Sequence, residues 1–323
     1  MRFLPVVLAC LCLVSPAVAQ QAPPPQDPFA SPPAAPQSAP QPPAIPPAPA
    51  DLAQALELLD RGAVVSFSEV PLEAMLEFHK AEEGKTYASI SIGYRIEEIR
   101  KAAGGDVAPQ LFALLRGTGP ESSRYDFTLP IDFADSGVGS PAGMKVFQTG
   151  SAVDPGPYRF SVGLWIPGRN LAGGRAEDVV VPNFTSSALD LSSVTLAAKV
   201  ERAAPASTGL KLPFIWGSFK VVPRLAHTLP RQEPLRLYYQ IYNAAADPAS
   251  GKPRLDITYT FYQKKNGKFL QAAQQPIKNQ DNQVAIYELP VDGWPAGEFK
   301  VQVQVLDAVS KATASRELLF QLR

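Results

Sequence analysis

The chain has 323 residues, 46% of them hydrophobic and 19% charged, and its 30 Lys+Arg balance 30 Asp+Glu to a formal net charge of zero. The length leaves room for about two domains, and the apolar share is ordinary for a globular protein. The balanced charge excludes the strong basic field that nucleic-acid binding needs.

The first predicted element is a leader. "MRFLPVVLACLCLVSPAVA" sets one Arg ahead of an apolar run from Phe3 to Val14 and ends in Ala17-Val18-Ala19. That is the pattern of a secretory signal peptide, residues 1–19, cut before Gln20. The alternative of a membrane anchor is disfavoured, because the run is short for a bilayer and contains Pro5. Cys10 sits too early to be a lipoprotein cysteine. Both cysteines, Cys10 and Cys12, leave with the leader, so the expected mature chain has no disulfide, cysteine metal site or thiol nucleophile. Such a chain must rely on core burial, for which about 270 remaining residues suffice.

Residues 20–50 contain 13 prolines among 31 residues, with mostly Ala and Gln between them. The sequence predicts a disordered, polyproline-like linker, read as a stalk rather than a ligand for proline-binding modules. A short helix is predicted over 51–62. Asp51 is its N-cap with Gln54 three residues on, Leu52, Leu56 and Leu59 share a face, and Gly62 stops it.

Residues 71–83 fit two templates, a helix opened by Pro71 and a strand in which Leu72, Ala74, Leu76 and Phe78 alternate with Glu73, Met75, Glu77 and His79. The run from Tyr87 to Tyr94 has period two. A hairpin turning at Glu82–Lys85 joins both runs and is the favoured reading. From there the chain reads as short strands: "LFALLRG", "RYDFTLPIDF", "MKVFQTG", "PYRFSVGLWI", "EDVVVPNF" and "LDLSSVTLAAKV". Regular strands with turn signals predict a first β-sandwich over 63–203. An interdomain linker over 204–212 follows, then a second, immunoglobulin- or fibronectin-III-like sandwich over 213–323. Its candidate strands are Phe214–Val222, Leu235–Tyr242, Leu255–Tyr262, Lys268–Ile277, Val284–Leu289, Glu298–Leu306 and Thr313–Leu322. Leu235, Leu237, Tyr239 and Ile241 share one face, as do Leu255, Ile257, Tyr259 and Phe261. Asn266-Gly267 is the strongest hairpin signal, because a type I′ turn needs positive φ at both positions.

"WPAGEFKVQVQV" (Trp294–Val305) matches "DPGPYRFSVGLW" (Asp154–Trp165). Each sets a glycine, then an aromatic, then a basic residue, ahead of an alternating strand. Tyr158 and Phe299 read as equivalent corner aromatics of two tandem domains. The predicted fold class is therefore all-β, two tandem sandwiches preceded by a linker and one short helix.

No catalytic motif emerges. The two histidines, His79 and His227, lack a G-x-S-x-G elbow and any zinc-binding spacing, and both are expected at the surface. Glu73, Glu77, Asp132 and Asp135 are the available carboxylates for glycoside hydrolysis, with nothing marking two of them. Residues 131–140 lack the alternating acidic ligands of a calcium loop. The sequence calls for no cofactor and no metal. Tyr238, Tyr242 and Tyr262 fall on the outward faces of consecutive strands, where a tyrosine row could stack a glycan or bind a protein. Trp165, Trp216 and Trp294 are expected as packing anchors.

"LDLSSVTLAAKVE", "LRLYYQIYN" and "LPVDGWPAGEFKVQVQVLDAVS" together resemble the tandem C-terminal β-domains of bacterial GWxTD-domain proteins and of exported proteins that carry von Willebrand factor A domains. The chain lacks the GWxTD motif, since Gly293-Trp294 continues as Pro-Ala, and it lacks a D-x-S-x-S metal-adhesion signature. The resemblance implies an exported, non-catalytic β-sandwich protein and transfers no functional residue. The expectation is a binding or scaffolding protein of the cell envelope, periplasmic or extracellular, whose partner is an envelope protein or glycan. The alternative is a carbohydrate-binding or carbohydrate-processing accessory protein.

Overall fold

The structure, a computed structural model, describes residue 53 and residues 66–68, 72–104, 109–119, 124–130, 138–139, 144–166, 171–203 and 214–323. The predicted leader, the linker over 20–50, the linker over 204–212 and all of the helix over 51–62 except Ala53, which is helical, lie outside these residues.

The fold is all-β. The first sandwich begins with β1 (Ser66–Ser68), β2 (Glu73–Lys80) and β3 (Thr86–Tyr94). Helix α1 (Ile96–Ala103) follows, then β4 (Gln110–Gly117), β5 (Arg124–Pro130) and β6 (Val138–Gly139). The last strands are β7 (Lys145–Val153), β8 (Gly156–Trp165) and β9 (Leu171–Val181). One sheet has the order β1-β9-β8-β4-β5 and the other β2-β3-β7-β6. Strands β2 and β3 form the favoured hairpin, with Glu73 opposite Gly93 and Lys80 opposite Thr86. Its turn uses positive φ at Glu83 and Gly84. Alternation then sends Ile90 and Ile92 inward to meet Leu111, Leu115, Phe160 and Val162 in one core.

Helix α1 was not anticipated, although its signature is local. Ile99 and Ala103 are buried, Glu97 and Glu98 stand in the first turn, and Gly104 closes the end at φ 68°. Acidic residues at the start, basic Arg100 and Lys101 at the end, and a left-handed glycine cap are ordinary helix punctuation.

The second sandwich is built from β10 (Asp190–Leu191), β11 (Thr195–Arg202), β12 (Ile215–Trp216), β13 (Phe219–Pro223), β14 (Thr228–Leu229) and β15 (Leu235–Tyr242). It continues with β16 (Leu255–Lys265), β17 (Lys268–Gln280), β18 (Val284–Leu289), β19 (Gly297–Asp307) and β20 (Thr313–Leu322). One sheet runs β10-β15-β11-β13-β12, with β18 on the far side of β15, and the other runs β14-β20-β19-β16-β17. The predicted inward faces of β15 and β16 meet Val301, Val303 and Val305 of β19 in a second, separate core. Asn266 and Gly267 turn β16 into β17 at φ 50° and 77°, as a type I′ turn requires.

The domain boundary needs correction. The stretch 189–202, counted with the first sandwich, belongs to the second: Asp190 pairs with Tyr242, Thr195 with Tyr238 and Val200 with Val221. The chain crosses between sandwiches after Val181, so the segment expected as an interdomain linker joins two strands of one sheet. Alternation identifies a strand but not its partner.

The matched glycine-aromatic segments occupy equivalent places. Each opens the strand that lies between two others of its sheet, β8 between β4 and β9 and β19 between β16 and β20. Tyr158 and Phe299 are both buried in their cores.

Candidate functional site

The tyrosine row is not formed. Strands β15 and β16 lie in different sheets of the second sandwich, so their outward faces point in opposite directions. Tyr262 alone is at a free face. It is half-buried, donates a hydrogen bond to Gln302 Oε1 at 3.2 Å and lies 4.9 Å under Lys300 Nζ. Tyr238 is fully buried against Ala197 and Val221. Tyr242 is half-buried, with Phe184 edge-on to its ring. Both stand on the face that β2 covers.

That covered face is the chemical centre of the molecule. Strand β2 is an edge strand, and its two sides have different tasks. Leu72, Ala74, Leu76 and Phe78 pack into the first core. The opposite row, Met75, Glu77 and His79, is buried, because it lies against the second sandwich, so His79 is not at the surface as expected. Glu77 Oε1 accepts a hydrogen bond from the Thr195 hydroxyl. The His79 imidazole stacks on the Trp216 indole, centroids 3.7 Å apart, and Tyr87 meets the same indole edge-on. Met75 Sδ lies 3.3 Å from His227 Nε2, so His227 is also partly buried rather than at the surface.

The free backbone edge of β2 is closed from the other sandwich. Phe78 N–H donates to Ser193 Oγ at 2.8 Å, Ser193 N–H donates to Phe78 O at 3.0 Å, and Lys80 N–H donates to Tyr242 Oη at 3.0 Å. Tyr242 donates to Gln240 Oε1, Gln240 Nε2 donates to Tyr238 Oη, and Tyr238 donates to the Trp216 carbonyl. The edge that could have recruited a foreign strand is thereby occupied.

The electrostatics of this seam follow from dehydration. Burial pushes the Glu77 carboxyl up to about 7, against the opposing effect of the Thr195 hydrogen bond. Burial pushes the His79 imidazole down to about 3. Gln240 opposes that shift, but its amide is engaged by Tyr238 and Tyr242, and neither ring nitrogen of His79 completes a hydrogen bond. At neutral pH His79 is therefore uncharged and Glu77 is about half protonated, both shifted toward the neutral form as dehydrated ionisable groups are.

At the Glu73 end the seam opens into a cleft of about 350 Å³, with Arg95, Arg224 and Arg323 at its rim. Two of these guanidiniums already face carboxylates: Arg95 lies 3.6 Å from Glu98, and Arg224 pairs with Glu233. Glu73 is raised by burial and drawn back by Arg95. Glu73 and Glu77 are four residues apart on one strand, about 13 Å, which is beyond the 6.5–9.5 Å or so of a glycosidase pair. Asp132, Asp135 and most of the candidate calcium loop lie outside the described residues. Among the described residues no group of three or more His, Asp or Glu is placed to hold a metal ion, and no helix is long and apolar enough to cross a membrane.

No family model and no curated protein matches the chain. Similar solved structures include a trypsin-activated alpha-2-macroglobulin from Escherichia coli, 11% identical at a TM-score of 0.25. Another is a DUF4785 family protein from Legionella pneumophila, 13% identical at a TM-score of 0.23. The matches cover 80% and 79% of this chain but only 17% and 57% of those chains.

Sequence reasoning placed Glu77 and His79 on one face of the correct strand but expected His79 at the surface. One signal was present. A tyrosine-rich outward face on β15 and a serine-rich outward face on β3 are both unusually suited to meeting another polar surface.

Proposed function

We propose that this is an exported, non-catalytic protein of the bacterial cell envelope whose two β-sandwiches serve together as a binding or scaffolding module. The leader pattern supports export, and the resemblance to GWxTD-type β-domains supports a non-catalytic role. The single observation that carries the reading is the seam. The ionisable groups that would be prime catalytic candidates, Glu77 and His79, are sealed between the sandwiches and used to join them. That leaves the free outer faces and loops for partners. The carbohydrate alternative loses its chief support, since the tyrosines it needs are divided between opposite sides of one sandwich.

Crosslinking in intact cells, with fractionation and N-terminal sequencing of the mature protein, tests this reading. Recovery from the envelope fraction, beginning at Gln20 and crosslinked to a reproducible partner, is expected. Cytoplasmic recovery, or turnover of a substrate panel that disappears in His79→Ala or His227→Ala, overturns it.

A further inference from the structure

Each sandwich has its own core, and among the described residues the apolar cluster shared by both is a small one of four side chains. What joins them is largely polar: Glu77, His79 and Thr195 from facing strands and Ser193 from between β10 and β11, with Gln148 accepting from the Phe214 N–H and donating to Ser91 at 3.1 Å. The apolar share is small, Met75 and Val146 against Phe214 and Leu225. Surfaces of this composition tolerate water, unlike the halves of a split core, and resemble a transient interface. The crossing between sandwiches after Val181 runs from Pro182 through Ala188 outside any strand, with Phe184 buried against Tyr242 and residues 186–188 in a bend.

We propose that the seam is a releasable joint: the two sandwiches separate as folded bodies about residues 182–189, and protonation of His79 in acid releases them. The imidazole is enclosed and neither nitrogen completes a hydrogen bond, so a proton taken up there is stabilised by the indole face of Trp216 and the nearby Gln240 side chain, and by no carboxylate partner. Solvent offers the imidazolium a full hydration shell once the seam opens.

The surrounding groups set the direction. From β2 the seam receives Glu77, and Glu73 towards the cleft; from β3, Tyr87; from β15, Tyr238 and Tyr242; and from the turn after β13, His227. Burial holds the Tyr87 and Tyr242 phenols up at about 12 and Tyr238 higher still, so they stay neutral. Among the described residues no lysine or arginine pairs with Glu77. Glu77 favours the closed seam when protonated, and it opposes His79 over the mildly acidic range. Only below the ordinary carboxylate range, where Glu77 is protonated in both open and closed forms, does the demand of His79 act alone.

Small-angle scattering of residues 20–323, recorded from about pH 7 to pH 3.5 alongside far-UV circular dichroism, tests the joint directly. The expected result is a rise in radius of gyration in acid with the strand signal retained. Glu77→Gln removes the opposing titration and is expected to open nearer neutrality than the natural chain. His79→Phe keeps the ring on Trp216, carries no proton, and is expected to stay closed. A radius independent of pH, an expansion that appears only with loss of the strand signal, or acid opening of His79→Phe like that of the natural chain overturns the proposal. If His79→Phe does not fold, the pH of opening in Glu77→Gln decides. No shift toward neutrality overturns it.

Discussion

His79 and Trp216 lie ring on ring, 3.7 Å apart and 22° from parallel, one from each sandwich. Trp216 also receives the Tyr87 edge, and its carbonyl accepts the last hydrogen bond of the Tyr242–Gln240–Tyr238 chain. The indole is therefore the piece of the second sandwich that the polar row of β2 closes upon. Trp216→Ala should lower stability by about 2–4 kcal/mol, toward the lower end for large aromatic truncations because the indole is only partly buried. Chemical denaturation followed by circular dichroism measures the loss. A change under 0.5 kcal/mol or so, the level of an ordinary surface substitution, shows that the stack contributes nothing.

Glu77 and His79 give opposite pH dependences, and the signs can be worked out. The folded His79 has a lowered pKa, so between about 3 and 6.5 the unfolded chain binds more protons and stability rises with pH. The folded Glu77 has a raised pKa, so between 4.5 and about 7 the folded chain binds more protons and stability falls with pH. From 4.5 to 6.5 the two nearly cancel in the natural chain. Glu77→Gln should uncover the His79 slope, a gain of up to about 1.4 kcal/mol per pH unit. His79→Phe should uncover the reverse slope. Melting temperatures across this range, read for each variant, check both signs. Parallel profiles in all three proteins would refute the assignment.

Legibility in the sequence divided along physical lines. The faces of β15, β16 and β19 could be read because alternation is local and each inward residue meets apolar partners whatever the topology. Asn266-Gly267 could be read because positive φ is demanded by the turn itself. The seam could not. Whether Glu77 meets water or Thr195 depends on contacts 118 residues apart. The same gap misplaced the domain boundary and set Tyr238 and Tyr262 side by side, since nothing local records that the chain changes sheets between β15 and β16.

Gly156 and Gly297 take φ of 143° and 144°, each two residues before the buried aromatic of its sandwich. That region of backbone space is open to glycine and strained for other residues. Space is not the obstacle, because a Cβ at Gly156 meets nothing within 4 Å and one at Gly297 meets only Gln263 Nε2 at 3.8 Å. Gly156→Ala and Gly297→Ala should therefore each cost about 1–3 kcal/mol through backbone strain. Because the two sites serve separate cores, the double variant should lose the sum. Denaturant melts of the three variants test this, and a neutral Gly156→Ala alongside a damaging Gly297→Ala would end the equivalence of the two corners.

Tyr239 and Tyr259 join their hydroxyls at 2.8 Å in the middle of the second core, and the Tyr259 ring is stacked on Tyr287. Burial raises both phenols, so the pair is a neutral hydrogen bond. Removing one hydroxyl leaves the other dehydrated without its partner, which costs about 1–3 kcal/mol. Tyr239→Phe and Tyr259→Phe should each lose that much. The double variant removes the polar group and its obligation together and should lie closer to the natural chain than the sum of the singles. A double-mutant cycle on unfolding free energies measures the coupling. Strict additivity would mean the two hydroxyls find separate partners and that this bond does not hold the β15 and β16 sheets in register.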